Sequence, residues 1–462
     1  MYGVRDAFTR PWQSPVPPLL DSVDLEVPYP CDEEDHGMVY VGWRGPSATK
    51  ELYRMVACSI LLKYLTDTAV SPLQRDFVEV EDPFASKVCY SLTENSQSML
   101  YLMFENVPRD KLASVKTRLT KLLESLTDRT ELLNMTRMRS VIHRHILETL
   151  SHLENSPHES VAFIAIGDLL FGTSKEDKPP PKHMLTSVPI PSISSINFHP
   201  LMFYTAESSE QHPRFHLPQA PVYMHLDHLH TNFVYMFVLL NTSGLSTALR
   251  PYLPLFLESL LELPILRGDT LVPYEQVVAQ LETDTIAVST SIGLENSSRF
   301  HCGAFSHTAV LMLQTQFTVE RLRILAAKIA NDVAQVKRKG NKVVSDLMKG
   351  LVYNQDSNHY SSSMLRQHKF LTSLLERLES PALSQKVLQE LEEVRAALTQ
   401  PANMVVHLAA DVDKLPGDPA EPWAQMLPSG VNPKRIKLAV TPDWALLAPP
   451  CEQKNGSCVV RL

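Results

Sequence analysis

Apolar and polar residues alternate along this chain in two rhythms. The stretch 38–43 (MVYVGW) is β-prone. After Pro46, a residue suited to opening a helix, 48–65 sets Leu52, Met55, Val56 and Ile60 on one helical face. Two β-prone runs follow at 88–93 and 99–104, joined by the turn-like Glu94-Asn95-Ser96. A helix with Leu112, Val115, Leu119, Leu122 and Leu126 at spacings of three and four comes next. The same order then returns. It predicts strands at 222–227 and 233–240, a helix from about 246, a helix over 274–281 and strands at 285–292 and 309–317. A helix over 319–337, helical periodicity over 343–398 and a buried strand at 404–409 complete it. Strand, helix, strand pair, helix, given twice, suggests an internal duplication. A sheet covered by helices on one face would bury these stripes.

Composition adds boundaries. Residues 1–37 are proline-rich and acidic and read as an irregular lead-in, 38–172 as a first domain, 173–196 as a linker around Pro179-Pro180-Pro181, 197–415 as a second domain and 416–462 as an irregular tail with little packed structure. A length of 462 residues suffices for two or three cores. With 43 Lys+Arg against 51 Asp+Glu the net charge is −8, which argues against an electrostatically driven nucleic-acid binder. Six cysteines without regular spacing read as reduced thiols of an intracellular protein. No run of about 18 apolar residues, the length a bilayer span needs, occurs, and the expectation is a soluble, cytoplasmic protein without a membrane partner. Arg5 and Arg10 offer a faint transit-peptide character, so the mitochondrial matrix is the alternative compartment.

Three strings invite a chemical reading. His225, His228 and His230 stand with Asp227 in one short segment, and imidazoles are common zinc ligands. In a strand, however, His225 and Asp227 share one face while His228 and His230 share the other. The favoured reading is polar residues at the mouth of a hairpin between 222–227 and 233–240. On a helix, His145-x-x-Glu148 matches the start of H-x-x-E-H, the inverted-zincin motif of two ligands and a general base, but Thr149 holds the second ligand position. His152 lies seven residues from His145, about 10 Å along a helix axis and too far to share one ion. The cluster 337–342 (KRKGNK) reads as a solvated helix end. No H-x-x-E-H, P-loop, nucleophile elbow or dinucleotide fingerprint occurs.

The runs 233–245 (FVYMFVLLNTSGL) and 249–260 (LRPYLPLFLESL), with 274–281 and 286–293 after them, resemble the pitrilysin/insulinase superfamily of inverted-zincin metallopeptidases, in its presequence-protease-like branch. The segments 41–46 (VGWRGP) and 70–73 (VSPL) are similar to that family's second unit. The resemblance implies an α+β fold of tandem homologous units, each a mainly antiparallel sheet covered by helices on one face, the metallopeptidase LuxS/mitochondrial-processing-peptidase-like fold. It also implies a chamber for unfolded peptides and zinc in the first unit only. Carried onto this chain, the motif places Leu255 at the first ligand, Glu258 at the general base and Ser259 at the second ligand. The helix at 49–55 shows no trace of it. The expectation is therefore units two and three alone, with no catalytic residue and no cofactor in this chain. Unfolded peptides or the missing family units are the expected partners. The first domain is some 135 residues against roughly 200 for a family unit, so the second unit reads as truncated.

Overall fold

The computed structural model describes residues 16–171 apart from 18, 29–33, 49, 95, 96 and 131, together with 192, 194, 201–292, 297–302, 311–337 and 339–426. The expected linker at 173–196 lies outside these, save Ser192 and Ser194. Among the described residues, no helix is long and apolar enough to cross a membrane.

The first half builds β1 (His36–Arg44), α1 (Leu52–Thr66), α2 (Pro72–Phe77), β2 (Lys87–Thr93), β3 (Met99–Pro108) and α3 (Leu112–Thr127). The helices α4 (Met135–Asn155) and α5 (Pro157–Phe171) follow. Its antiparallel sheet runs β1-β3-β2. Leu102 and Phe104 of β3 meet Phe77 of α2 and Val115 and Leu119 of α3, so the three- and four-residue spacing of α3 is its buried stripe. Asn134 opens α4, its side chain accepting from the backbone N–H of Arg137 at 3.0 Å. Cys58 and Cys89 are free thiols.

The second half contains β4 (Met202–Thr205), β5 (Tyr223–His228), β6 (Tyr235–Asn241), α6 (Leu253–Glu262), the small hairpin β7 (Ile265–Arg267) and β8 (Thr270–Val272), and α7 (Tyr274–Asp284). After β9 (Val288–Ile292) and β10 (Ser297–Cys302) come α8 (Val319–Lys337), α9 (Gly340–Val352), α10 (Met364–Glu379), α11 (Pro381–Leu398) and β11 (Met404–Ala410). The large sheet is ordered β4-β5-β11-β6-β10-β9. Within it, β6-β10-β9 repeats the pairing of β1-β3-β2, with two helices again between the first and second strand and helices again after the third. The fold is α+β, and the strand order of the first sheet recurs within the second, with β10 in place of the strand expected at 309–317. Met224, Leu226, Met236, Val238, Leu240, Val406 and Leu408 point to the helical side, where α6, α8, α10 and α11 complete the core.

Four expectations are corrected. β5 and β6 form no hairpin: β11 lies between them, parallel to β5 and antiparallel to β6. Its apolar run (MVVHLAA) suits a central strand, and the Leu229 N–H donates to the Ala410 carbonyl at 2.9 Å where the β5–β6 connection crosses its end. Of the strand expected at 309–317, residues 309 and 310 lie outside the described residues, 311–314 are helical and Thr315 bridges Ile265, and the partner of β9 is instead β10. A short apolar run does not by itself distinguish helix from strand. The helix expected from about 246 begins as α6 at Leu253, after a 3-10 turn at Arg250–Tyr252. Finally, 416–426 is not loose: Trp423 is wholly buried against the second core. Residues 427–462 lie outside the described residues.

The halves meet through charges. Glu79, its side chain 1 % exposed at the end of α2, accepts from Arg321 at 2.6 Å and from Lys328 at 3.1 Å, both on α8. Arg137 of α4 pairs with Glu282 of α7 at 3.3 Å, and the Thr68 hydroxyl donates to Glu282 at 2.6 Å.

Candidate functional site

Helix α6 carries the positions matched to the metallopeptidase motif. Its entry is fixed by Arg250, which donates to Asn358 Oδ1 at 2.8 Å and to the Thr242 carbonyl at 3.0 Å, all three residues being buried. Leu255 and Ser259 are both 0 % exposed and face the core. The Ser259 hydroxyl donates back to the Phe256 carbonyl at 2.6 Å. Zinc needs nitrogen, sulfur or oxygen donors converging on one point. Here one position is hydrocarbon and the other hydroxyl is already engaged.

Glu258 points the other way, into a cleft of about 470 Å³ between α6, β9 and α8 that Glu262, Thr290, Lys328 and Asp332 also line. The Thr290 hydroxyl donates to its Oε1 at 3.3 Å. Burial, reinforced by the neighbouring Glu262 charge, raises the Glu258 carboxyl above the ordinary carboxylate value, and burial does the same for Asp332. Lys328 bonds Glu262 at 3.0 Å and is held above the ordinary lysine value: burial opposes its charge, but Glu262 and Glu79 outweigh it.

The histidine string divides between two places. On the open face of the second sheet, the parallel pairing of β5 and β11 puts His225 directly beside His407, and β6 sets Phe237 on the far side of His407. Asp227, two residues after His225, shares this face. Its Oδ1 lies 2.9 Å from His225 Nε2 and its Oδ2 2.7 Å from His407 Nε2. Burial raises the Asp227 pKa, but the bonds from His407 and His225 prevail and hold it below the ordinary value. An ionised carboxylate only accepts, so both imidazoles carry their proton on Nε2 and donate it. Phe203 of β4 stacks on His225 with ring centroids 5.3 Å apart at 9°, and Phe237 stacks on His407 at 5.9 Å.

His228, at the end of β5, stands with Asp411 and Asp413, their ligand atoms within 4.8 Å of one another. Its Nδ1 is buried without a hydrogen-bond partner. The His230 ring meets His228 edge-on at 5.1 Å and belongs to neither cluster. Sequence reasoning missed His407, and the signal was a single imidazole in an otherwise apolar central strand. On α4, Glu148 accepts from Lys63 and lies 3.6 Å from Arg144, while Thr149 bonds the His145 carbonyl at 2.8 Å. That face is an ion-paired seam to α1.

No family model matches the chain. An uncharacterised protein of Schizosaccharomyces pombe is 24 % identical over 550 aligned positions, covering 91 % of this chain and 51 % of that protein. Uncharacterised proteins of Caenorhabditis elegans and Saccharomyces cerevisiae are 23 % and 21 % identical, each covering 90 % of this chain and 51 % of the relative. The chain thus spans about half the length of the relatives it matches. An alignment of 550 positions exceeds the 462 residues of this chain, so the fission-yeast protein carries sequence inserted against it. Among solved structures, a protease from Helicobacter pylori overlaps 52 % of this chain and 53 % of its own at 9 % identity and a TM-score of 0.35. A peptidase M16 inactive domain from Pseudomonas fluorescens overlaps 53 % of each at 12 % identity and a TM-score of 0.34. Overlaps this partial leave the reading to the chain's own residues.

Proposed function

We propose that the chain is a non-catalytic chamber-wall portion of a pitrilysin-like zinc metallopeptidase acting on unfolded peptides, and that alone it cleaves nothing. The observation that carries this is α6: the ligand positions are Leu255 and Ser259, both buried in the core, and only Glu258 remains of the motif. The repeated strand order of the two halves supports tandem units. Incubating the 462-residue chain with an unstructured peptide, with and without zinc and with a chelator, tests it. Intact peptide in every condition is expected, and chelator-sensitive turnover would overturn the proposal.

A second reading is a non-enzymatic scaffold or peptide-binding protein on the same fold. The exposed apolar edge strand β4 favours it, with Met202 and Phe203 each 55 % exposed. Fluorescence anisotropy of a labelled unstructured peptide separates the two. Saturable binding that Phe203→Ser weakens supports the scaffold, and its absence leaves the wall of a larger assembly.

A further inference from the structure

We propose that His225, Asp227 and His407 form a binding site for one divalent first-row transition metal ion, zinc first among them, on the open face of the second sheet. Their ligand atoms lie within 4.8 Å of one another. Two imidazoles and one carboxylate are a donor set that zinc accepts, and three protein ligands leave a coordination position for water or another donor. The backbone fixes this convergence. His225 and His407 are in register on adjacent parallel strands, Asp227 follows on the same face, and the side chains are 31 %, 36 % and 20 % exposed, so an ion can reach them.

Little rearrangement is needed. Ligands held about 2.0–2.1 Å from a tetrahedral zinc are about 3.3 Å apart. The present gaps of 2.9 and 2.7 Å would open by roughly half an ångström through side-chain rotation. Each neutral ring would shift its single proton from Nε2 to Nδ1 through solvent, which frees the Nε2 lone pair for the metal. Phe203 and Phe237 stack on the two imidazoles and restrict their rotation, so part of the ordering cost is met before binding. The second cluster is weaker: Asp413 is 74 % exposed and faces His212, and Asp411 already pairs with Lys414 at 3.0 Å. This site lies on the face of the sheet opposite α6 and its motif positions, and zinc here implies no turnover.

Calorimetric titration of the full chain with zinc, and the visible spectrum with cobalt(II) in its place, test the proposal. One ion per chain is expected. His407→Gln and His225→Gln should each weaken it by at least about tenfold, since even outer-shell losses cost about 10- to 100-fold. His228→Ala should leave it unchanged. Zinc should raise the melting temperature of the parent chain but not of His407→Gln, whose metal-free melt should match the parent and so exclude a folding defect. Absence of zinc uptake, uptake undiminished in His407→Gln, or a loss produced by His228→Ala would each overturn the assignment. Peptide cleavage is read in a separate assay, so metal binding without turnover sustains both proposals and either can fail alone.

Discussion

The two sheets share three strands in the same order and differ in what is added. β1-β3-β2 ends there, and α1 beside it leaves Leu52 and Tyr53 exposed at 67 % and 88 %. β6-β10-β9 continues through β11, β5 and β4, and its first helix, α6, buries six of its ten residues. Burial and chemistry part company in the second half. Helix α6, which holds the positions matched to the zinc motif, is absorbed into the core, while both groups of convergent metal-type ligands among the described residues lie on or just beyond β5 and β11. An added strand brings two new faces and a new register, and the register makes neighbours of residues far apart in sequence.

The comparison can be broken at the seam between the halves. Glu79→Ala leaves Arg321 and Lys328 with Glu262 as their remaining acidic partner, and stability should fall by about 3 kcal/mol, the lower end for breaking a buried pair because Glu262 stays. Urea denaturation measures this, and a loss under about 1 kcal/mol would show the halves to be uncoupled there. A smaller effect is expected at Asn134. Removing its cap with Asn134→Ala should cost about 1 kcal/mol in the same measurement, because α4 docks on α7 from the first half.

The smallest effect sharpens the contrast within α6. Glu258 has a raised pKa in the folded state, so between the ordinary carboxylate value and that raised value the native state holds more protons than the unfolded state. Stability therefore declines as pH rises through that window, and the ionised group disfavours folding above it. Glu258→Gln should be slightly more stable than the parent at neutral pH, with the gain vanishing below the ordinary carboxylate value. Paired denaturation curves across that range check it, and a variant less stable at neutral pH would mean that the ionised carboxylate is needed.

Much of the fold was legible. The stripe Val115, Leu119 and Leu122 is buried as its spacing required, and the alternation in β6 puts Met236, Val238 and Leu240 inside. What escaped depended on distance. Nothing in 222–240 reveals that β11 will separate β5 from β6, because the contacts that decide it come from residues 404–410. Trp423 escaped similarly: proline-rich surroundings masked one aromatic residue that the second core encloses. The site followed the same division. Local pattern placed His225 with Asp227, and only tertiary pairing supplied His407.

The position of β11 also governs how the chain is made. His407 meets Asp227 across 180 residues, so the slot between β5 and β6 stays open until nearly all of the second half has left the ribosome. Through that interval two apolar strands present unpaired edges to each other and to any neighbouring chain, the condition under which strands pair wrongly or aggregate. Release of the nascent chain before residue 410 should thus yield insoluble product, and a chaperone that shields extended segments should matter most while that slot is open.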